Sequence, residues 1–327
     1  MTAYLGIDVS KDTLDVFLVR EDGKTENSQI ANNSKGFKTL HNFLTKRVKT
    51  TLHACMEATG HYGDAIATFL YEAGYTVSVI NPLQIKSYGD SQLRRIKTDA
   101  SDAALIADFC RTQQPPAWTP PPPELQELQA LVRHLSALKD MRQQELNRTK
   151  SGISSPIVKD ALVTHIAFLD DQIAQLLAKI RKHVKSFPGL REQRALLTSI
   201  PGIGDLTAFR ILAELPRWES FSTPNQVAAF AGLAPRLHQS GSSVRGRTHI
   251  SKRGSARLRT ALFMPAIVAQ THNPVMAAFA HRLLAAGKSK MAVVVAVMRK
   301  LLLLAFAVLK SGRPFDPHYA TRLEFAS

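Results

Sequence analysis

The sequence predicts an α/β domain joined to a mostly helical remainder, and three observations carry that prediction. Short β-rich runs alternate with helical patterns as far as Ile80, a proline cluster from Pro115 to Pro123 interrupts the chain, and apolar residues beyond it recur at helical spacing. Tyr4 to Val9 and Thr13 to Arg20 read as strands joined by a tight polar turn, and Glu21-Asp22-Gly23-Lys24 turns the chain into a third strand near Thr25 to Ile30. Ser34 is placed to cap a helix with apolar Phe37, Leu40, Phe43 and Leu44. Thr51 to Met56 reads as a strand, Tyr62 to Ala73 as a helix closed by Gly74, Tyr75 to Ile80 as a strand and Lys97 to Gln113 as a helix. The order βββαβαβ followed by helices is the RNase H-like pattern, whereas a doubly wound nucleotide fold would begin βαβ.

The prolines around Trp118 cannot continue a helix and form a stiff connector, so the first domain is placed at 1–115. Beyond it, Leu125, Leu128, Leu131, Leu135 and Leu138 mark one amphipathic helix, and Leu162, Ile166, Leu169, Ile173, Leu176, Ile180 and Val184 mark another. These helices form an antiparallel hairpin or an intermolecular coiled coil; the stripe does not say which helix it meets. Phe187-Pro188-Gly189 ends this middle segment, 116–189, and 190–327 read as a second, mostly helical globular unit.

At 327 residues the chain exceeds one compact domain, and its net charge of +16 calls for a polyanionic partner, nucleic acid first. From Ser220 through Phe315 there is no Asp or Glu, while Arg236, Arg245, Arg247, Lys252, Arg253, Arg257 and Arg259 crowd one stretch, an electrostatic footprint for phosphates. Cys55 and Cys110 are too few for a disulfide framework or a zinc site and read as core packing in a reducing cytoplasm. Met1 to Val9 lacks the basic start of a signal peptide, and Arg299 and Lys300 interrupt the apolar run Met291 to Leu309, which argues for a buried helix and against a membrane span.

Four acids stand out. Asp8 lies among apolar neighbours on the first strand, where a lone carboxylate is costly without a partner or a cation, and Glu57 follows directly on the apolar run ending at Met56. In the βββαβαβ order the first and fourth strands are neighbours, so the two approach from one end. Asp99 and Asp102 lie a single turn apart at the start of the helix, although an acid there is also favoured as a cap. Paired Mg²⁺ ions roughly 3.5 to 4 Å apart, bound by such hard oxygen donors, can activate a nucleophile and steady the leaving oxygen of a phosphodiester. Asp12, Asp15, Asp64 and Asp108 are read as facing solvent or backing the site.

The basic half holds two further candidates. Ser199-Ile200-Pro201-Gly202-Ile203-Gly204-Asp205 before a helix looks like a helix-hairpin-helix turn, in which Gly202 and Gly204 let backbone N–H groups approach a phosphate; an ordinary glycine turn fits as well. Gln239-Ser240-Gly241-Ser242-Ser243-Val244-Arg245-Gly246-Arg247 is a small-residue loop entering an arginine cluster. It can contact phosphates or bring a hydroxyl against one, with Arg245, Arg247 or Lys252 balancing charge, and spacing alone does not distinguish Ser240 from Ser242 or Ser243. Arg253 and Arg257 extend the same basic run.

Taken together, Tyr4-Leu5-Gly6-Ile7-Asp8, Glu57-Ala58-Thr59-Gly60, Lys97-Thr98-Asp99-Ala100-Ser101-Asp102-Ala103, Ile200-Pro201-Gly202-Ile203-Gly204, Ala229-Phe230-Ala231-Gly232-Leu233-Ala234-Pro235 and Ser240-Gly241-Ser242-Ser243 resemble the DEDD transposases of the insertion-sequence "one-ten" family, relatives of the Piv invertase. The resemblance covers nearly the whole chain. It implies a RuvC-like first domain, a coiled-coil middle and a C-terminal transposase domain, with Asp8, Glu57, Asp99 and Asp102 binding Mg²⁺ or Mn²⁺. It further implies that Ser240 forms a covalent DNA–serine intermediate, that a structured bridge RNA guides the enzyme to donor and target double-stranded DNA, and that dimers assemble to a tetramer. The implied location is the bacterial cytoplasm, at the nucleoid. The rival activity on the same acids is a Holliday-junction resolvase or nuclease that uses activated water.

Overall fold

The computed structural model describes residues 2–58, 62–92, 99–215, 217–236, 239–240, 244–245 and 249–317, with backbone alone at 99, 100, 239, 240, 244 and 245. The chain divides into two compact units, Met1–Pro120 and Pro121–Ser327.

The first unit runs β1 (Ala3–Val9), β2 (Thr13–Val19), β3 (Thr25–Ala31), α1 (Ser34–Arg47), β4 (Leu52–Glu57), α2 (Asp64–Glu72), β5 (Thr76–Ile80), α3 (Pro82–Ser91) and α4 (Asp99–Gln113). Its sheet has the order β3-β2-β1-β4-β5, antiparallel from β3 to β1 and parallel from β1 through β4 to β5. This is the RNase H-like arrangement that the element order predicts. Strand alternation sends Leu5, Ile7, Leu14, Val16, Ala54 and Met56 to one face, where they form a core with Phe37, Leu40 and Leu44 of α1 and Ile66 and Leu70 of α2. On the other face Tyr4, Cys55 and Ile80 pack against Ile85 of α3 and Leu105, Ile106, Phe109 and Cys110 of α4.

Three local details differ from the sequence reading. Asn33, not Ser34, caps α1, its side-chain oxygen accepting from the N–H groups of Lys35 and Gly36; both residue types cap well, and the chain turns one residue earlier. Helix α3, capped by Asn81 with Pro82 at its first position, lies where no separate element was read. Cys55 and Cys110 do more than pack, because their sulfurs are joined as a disulfide between β4 and α4. The proline connector continues along β5: Trp118 donates its N–H to the Val77 carbonyl, and the Ser78 hydroxyl donates to the carbonyls of Pro115 and Pro116.

The second unit contains α5 (Pro123–Thr149), α6 (Pro156–Ser186), α7 (Pro188–Thr198), α8 (Asp205–Glu214), α9 (Pro224–Phe230), the short strands β6 (Pro235–Arg236), β7 (Gln239–Ser240), β8 (Val244–Arg245) and β9 (His249–Ile250), then α10 (Ala256–His272), α11 (Pro274–Ala285) and α12 (Lys290–Ser311). Helices α5 and α6 pair within the chain through Leu128, Val132 and Leu135 on one and Leu169, Ile173 and Ile180 on the other. Arg142 adds a bidentate bridge to Asp170. The same core continues through Leu197, Phe209, Leu258 and Leu302, so the hairpin shares its interior with the later helices and does not stand as a middle unit of its own. Among the described residues α12 alone is long and apolar enough to cross a membrane, yet Val297, Leu301, Leu302 and Phe306 are buried in this core. Its interrupting charges point away, Arg299 donating to Asn225 and Lys300 lying 4.5 Å from the centre of the Phe279 ring.

Candidate active site

The parallel ladder of β1 and β4 pairs Ile7 with Met56, so Asp8 and Glu57 are the next residues in the same register. Ile7 and Met56 face the α1–α2 core, which turns Asp8 and Glu57 onto the opposite face of the sheet, side by side at the same strand ends. Both are partly buried.

Helix α4 covers that face. A Cβ on Gly6 would overlap the Ala103 carbonyl oxygen and the Ala107 nitrogen, so only glycine admits the helix this close to β1. Cys110, farther along α4, meets Cys55 and the His53 carbonyl, which fixes the direction of the helix as antiparallel to β1 and β4. From Gly6 to Asp8 the strand advances about 6.6 Å, and from Ala103 back to Asp99 the helix advances about 6 Å. Asp99 and Asp102, at the start of α4, therefore lie level with Asp8 and Glu57. The fold gathers the four predicted positions at one end of one face; Lys97 and Thr98, and Thr59 and Gly60, lie outside the described residues.

A fifth acid joins them. Asp15 on β2 is the cross-strand partner of Asp8, on the same face, and the Gln29 amide donates to both its carboxylate oxygens at 3.0 and 3.2 Å. The donor set here is hard oxygen throughout, the ligand chemistry that suits a divalent cation. By donor type these positions suit a divalent cation of the Mg²⁺ or Mn²⁺ class, while the group of described residues whose donor atoms already lie within 4.8 Å of one another is His53, Cys55 and Cys110. The other acids are differently employed: Asp108 accepts from Tyr88 at 2.7 Å and from Arg111 at 2.8 Å, tying α3 to α4, while Asp12 and Asp64 are exposed.

In the second unit the basic run forms a two-tier β arm. At its root Pro235 pairs with Ile250 and Arg236 with His249; nearer its tip Gln239 pairs with Arg245 and Ser240 with Val244. Ser240 thus occupies the last paired position before residues 241–243. Ser242, Ser243 and Arg247 lie outside the described residues. Arg259, which charge alone assigns to phosphate, donates to the carbonyls of Ala231 at 3.0 Å and Gly254 at 3.1 Å and so anchors the root. Lys252, Arg253 and Arg257 are exposed, and Lys252 holds a left-handed φ of 52°.

Arg257 also lines a cleft between α5, α8 and α10 with Arg133, Arg210, Asp140 and Glu214. Burial lowers the Arg210 pKa, opposed by the nearby Asp140. Sequence reasoning passed over Arg210 because its helical neighbours are apolar. In the turn before α8, Gly202 has a φ of 103°, and a Cβ there would come within 2.8 Å of Ala269 Cβ, so its need for glycine is explained by packing on α10. Gly204 is exposed at the N terminus of α8, where Arg194 holds Asp205 at 2.6 Å.

Comparison with known proteins bears on both units. An IS110-type DEDD transposase model matches residues 5–154, and a model described as "Transposase IS116/IS110/IS902 family" matches residues 194–281. The pilin gene-inverting protein of Moraxella bovis is 36% identical over 96% of this chain and 97% of its own length. The transposase for insertion sequence element IS1111A of Coxiella burnetii is 26% identical over 79% of this chain and 75% of its own. A solved structure of T. thermophilus RuvC with a Holliday junction substrate covers 35% of this chain and 96% of that chain, at 15% identity and a TM-score of 0.27, too slight a likeness to argue from. With two matching domain models in order and a relative aligned along nearly its whole length, the chain belongs to the IS110 family of transposases.

Proposed function

We propose that this chain cuts and rejoins donor and target double-stranded DNA at a metal site of Asp8, Glu57, Asp99 and Asp102, with Ser240 as nucleophile. The observation that carries the metal half is the register of β1 and β4, which sets Asp8 beside Glu57 under the start of α4. A bound divalent cation supplies electrostatic stabilisation to the phosphoryl oxygens and orients the phosphate.

Ser240 Oγ attacks the scissile phosphorus; the new O–P bond forms as the bond to a deoxyribose oxygen breaks, and that oxygen leaves with a proton. A hydroxyl of the partner strand then attacks the phosphoserine, restoring both the DNA backbone and the serine hydroxyl. One phosphodiester is exchanged for another, so no high-energy cofactor is consumed. Arg245, Arg247 and Lys252 balance charge on the phosphate, and Arg253, Arg257, Ser242, Ser243, Gly202 and Gly204 contact the nucleic-acid backbone. Relatives named for gene inversion and for transposition support a reaction with both cutting and joining. The RuvC-like character of the first domain, guidance by a bridge RNA and a tetramer in which one protomer's serine serves another's acids complete the proposal; they rest on family resemblance and on the acid-free basic stretch of the second unit.

The test is a recombination assay with co-purified RNA, matching donor and target duplexes and Mg²⁺. Wild type gives recombinant junctions and DNA that stays on the protein after denaturation. Ser240→Ala loses both, and Asp8→Asn or Glu57→Gln loses cleavage. Cleavage retained by Ser240→Ala would make water the nucleophile and overturn the serine mechanism, and recombination retained by Asp8→Asn would overturn the metal site.

A further inference from the structure

Cys55 and Cys110 take no part in the proposed chemistry, yet they join the elements that position it. Cys55 lies two residues before Glu57 on the same face of β4, and Cys110 lies two turns beyond Asp102 on α4. Their Cα atoms are 5.8 Å apart, within the range of about 4.4 to 6.8 Å that a disulfide spans without backbone movement. Both side chains are fully buried, among Ile80, Ile106 and Phe109. We propose that Cys55 and Cys110 are an oxidation site, a thiol–disulfide clasp that, when closed, fixes the height and slide of α4 on β4 and so the spacing of the acids.

The oxidant is a peroxide, small enough to reach a buried thiol. One cysteine sulfur attacks a peroxide oxygen, giving a sulfenic acid and one molecule of water; the second thiol attacks the sulfenic sulfur, forming the disulfide and releasing a second water. Two thiols are oxidised by two electrons and one peroxide is reduced. Thiols in exchange reopen the clasp.

His53 is the third member of the group, since its ring and the two sulfurs offer donor atoms within 4.8 Å of one another, close to what a zinc or cuprous ion would use. The hydrogen bonds favour the cross-link. The Ser78 hydroxyl gives its proton to the Pro115 and Pro116 carbonyls, so at 2.8 Å it accepts from His53 Nε2–H, which engages the ring nitrogen that lies 3.9 Å from the Cys55 sulfur. Burial lowers the His53 pKa, which keeps the ring neutral beside the sulfurs.

The effect on the acids rests on the metal-site reading above; the cross-link does not. The full chain is treated with hydrogen peroxide or with dithiothreitol, denatured, alkylated, digested and mapped by mass spectrometry. After peroxide the Cys55 and Cys110 peptides appear joined within one chain, and the melting temperature rises by roughly 10 °C over the reduced protein, as expected for a loop of this length. The Cys55→Ala and Cys110→Ala variants show no such shift; if either fails to fold, the two redox states of the wild type still carry the comparison. Complete alkylation of both cysteines after peroxide, or one zinc ion per chain released by alkylation, overturns the clasp. Titration with Mn²⁺ reads the positioning role: several-fold tighter binding by the oxidised protein supports it, and equal affinity in the two states overturns it. A mapped cross-link with no Mn²⁺ bound in either state would instead overturn the acidic site and leave the clasp standing.

Discussion

Asp8 and Asp15 are partners across antiparallel strands, and the Gln29 amide donates to both Asp15 carboxylate oxygens. Replacing Asp15 with Asn keeps an oxygen for Gln29 but removes an anionic donor beside Asp8, so Asp15→Asn should change metal-free stability by no more than about 0.5 kcal/mol while weakening Mn²⁺ binding. Urea melts with and without Mn²⁺ measure both. Gly6 answers to sterics: Gly6→Ala would drive a methyl group into the α4 backbone and should cost about 1–3 kcal/mol or more, with loss of cleavage as α4 lifts. His53 answers to pH. Burial lowers its folded pKa below the ordinary 6.5, so the unfolded chain takes up the proton first and stability is lost as pH falls below that value. Thermal melts from pH 7.5 down to 5.5 should show this loss in wild type and a smaller one in His53→Gln. Of these residues Asp8 was legible in the sequence, because an acid in an apolar strand is conspicuous alone, whereas Asp15 read only as facing solvent or backing the site. Gly6 and Asp15 acquire meaning from the chain that covers or opposes them, and Arg259 looks like its basic neighbours until two carbonyls are found in front of it.

Among the elements, those with strong periodicity were legible and the short ones were not. The apolar stripes of α5 and α6 announce two long helices, but a stripe is indifferent to whose helix fills it; packing within the chain settles that Leu128, Val132 and Leu135 meet their own α6. Ile180, fully buried there, should cost about 2–5 kcal/mol on Ile180→Ala. Phe168, 57% exposed on the same helix, should change stability by no more than about 0.5 kcal/mol on Phe168→Ala, measured in the same denaturant series. Strands β6 to β9 are two residues each, too short for alternation to register, so the arm read only as a small-residue loop. The two cysteines, 55 positions apart, gave no sign that a helix and a strand would bring them together.

At the scale of the whole molecule, the +16 charge and the acid-free stretch from Ser220 to Phe315 predict binding to duplex DNA that weakens steeply with salt. In fluorescence anisotropy across a salt series, Lys252→Ala, Arg253→Ala and Arg257→Ala should each reduce the slope of log affinity against log salt by about one. Arg259→Ala should leave that slope unchanged and lower the melting temperature, which separates a side chain that meets phosphate from one that holds the fold. The division into Met1–Pro120 and Pro121–Ser327 follows the proline run visible in the sequence, whereas the merging of the hairpin with the later helices follows from shared burial that no linear pattern records.

The β arm leaves and re-enters the helical body at one place: Arg236 sits across from His249, and the junction beneath is sealed by Arg259, Gly232 and Gly254. A segment whose two ends are already neighbours adds little closure entropy when its length changes. Closure at the root therefore depends little on the length of chain between those ends. Exchanging residues 237–248 for the equivalent stretch of a relative should give a chimaera that melts like the parent while its nucleic-acid preference changes, so that this transposase can diversify what it touches without renegotiating how it folds.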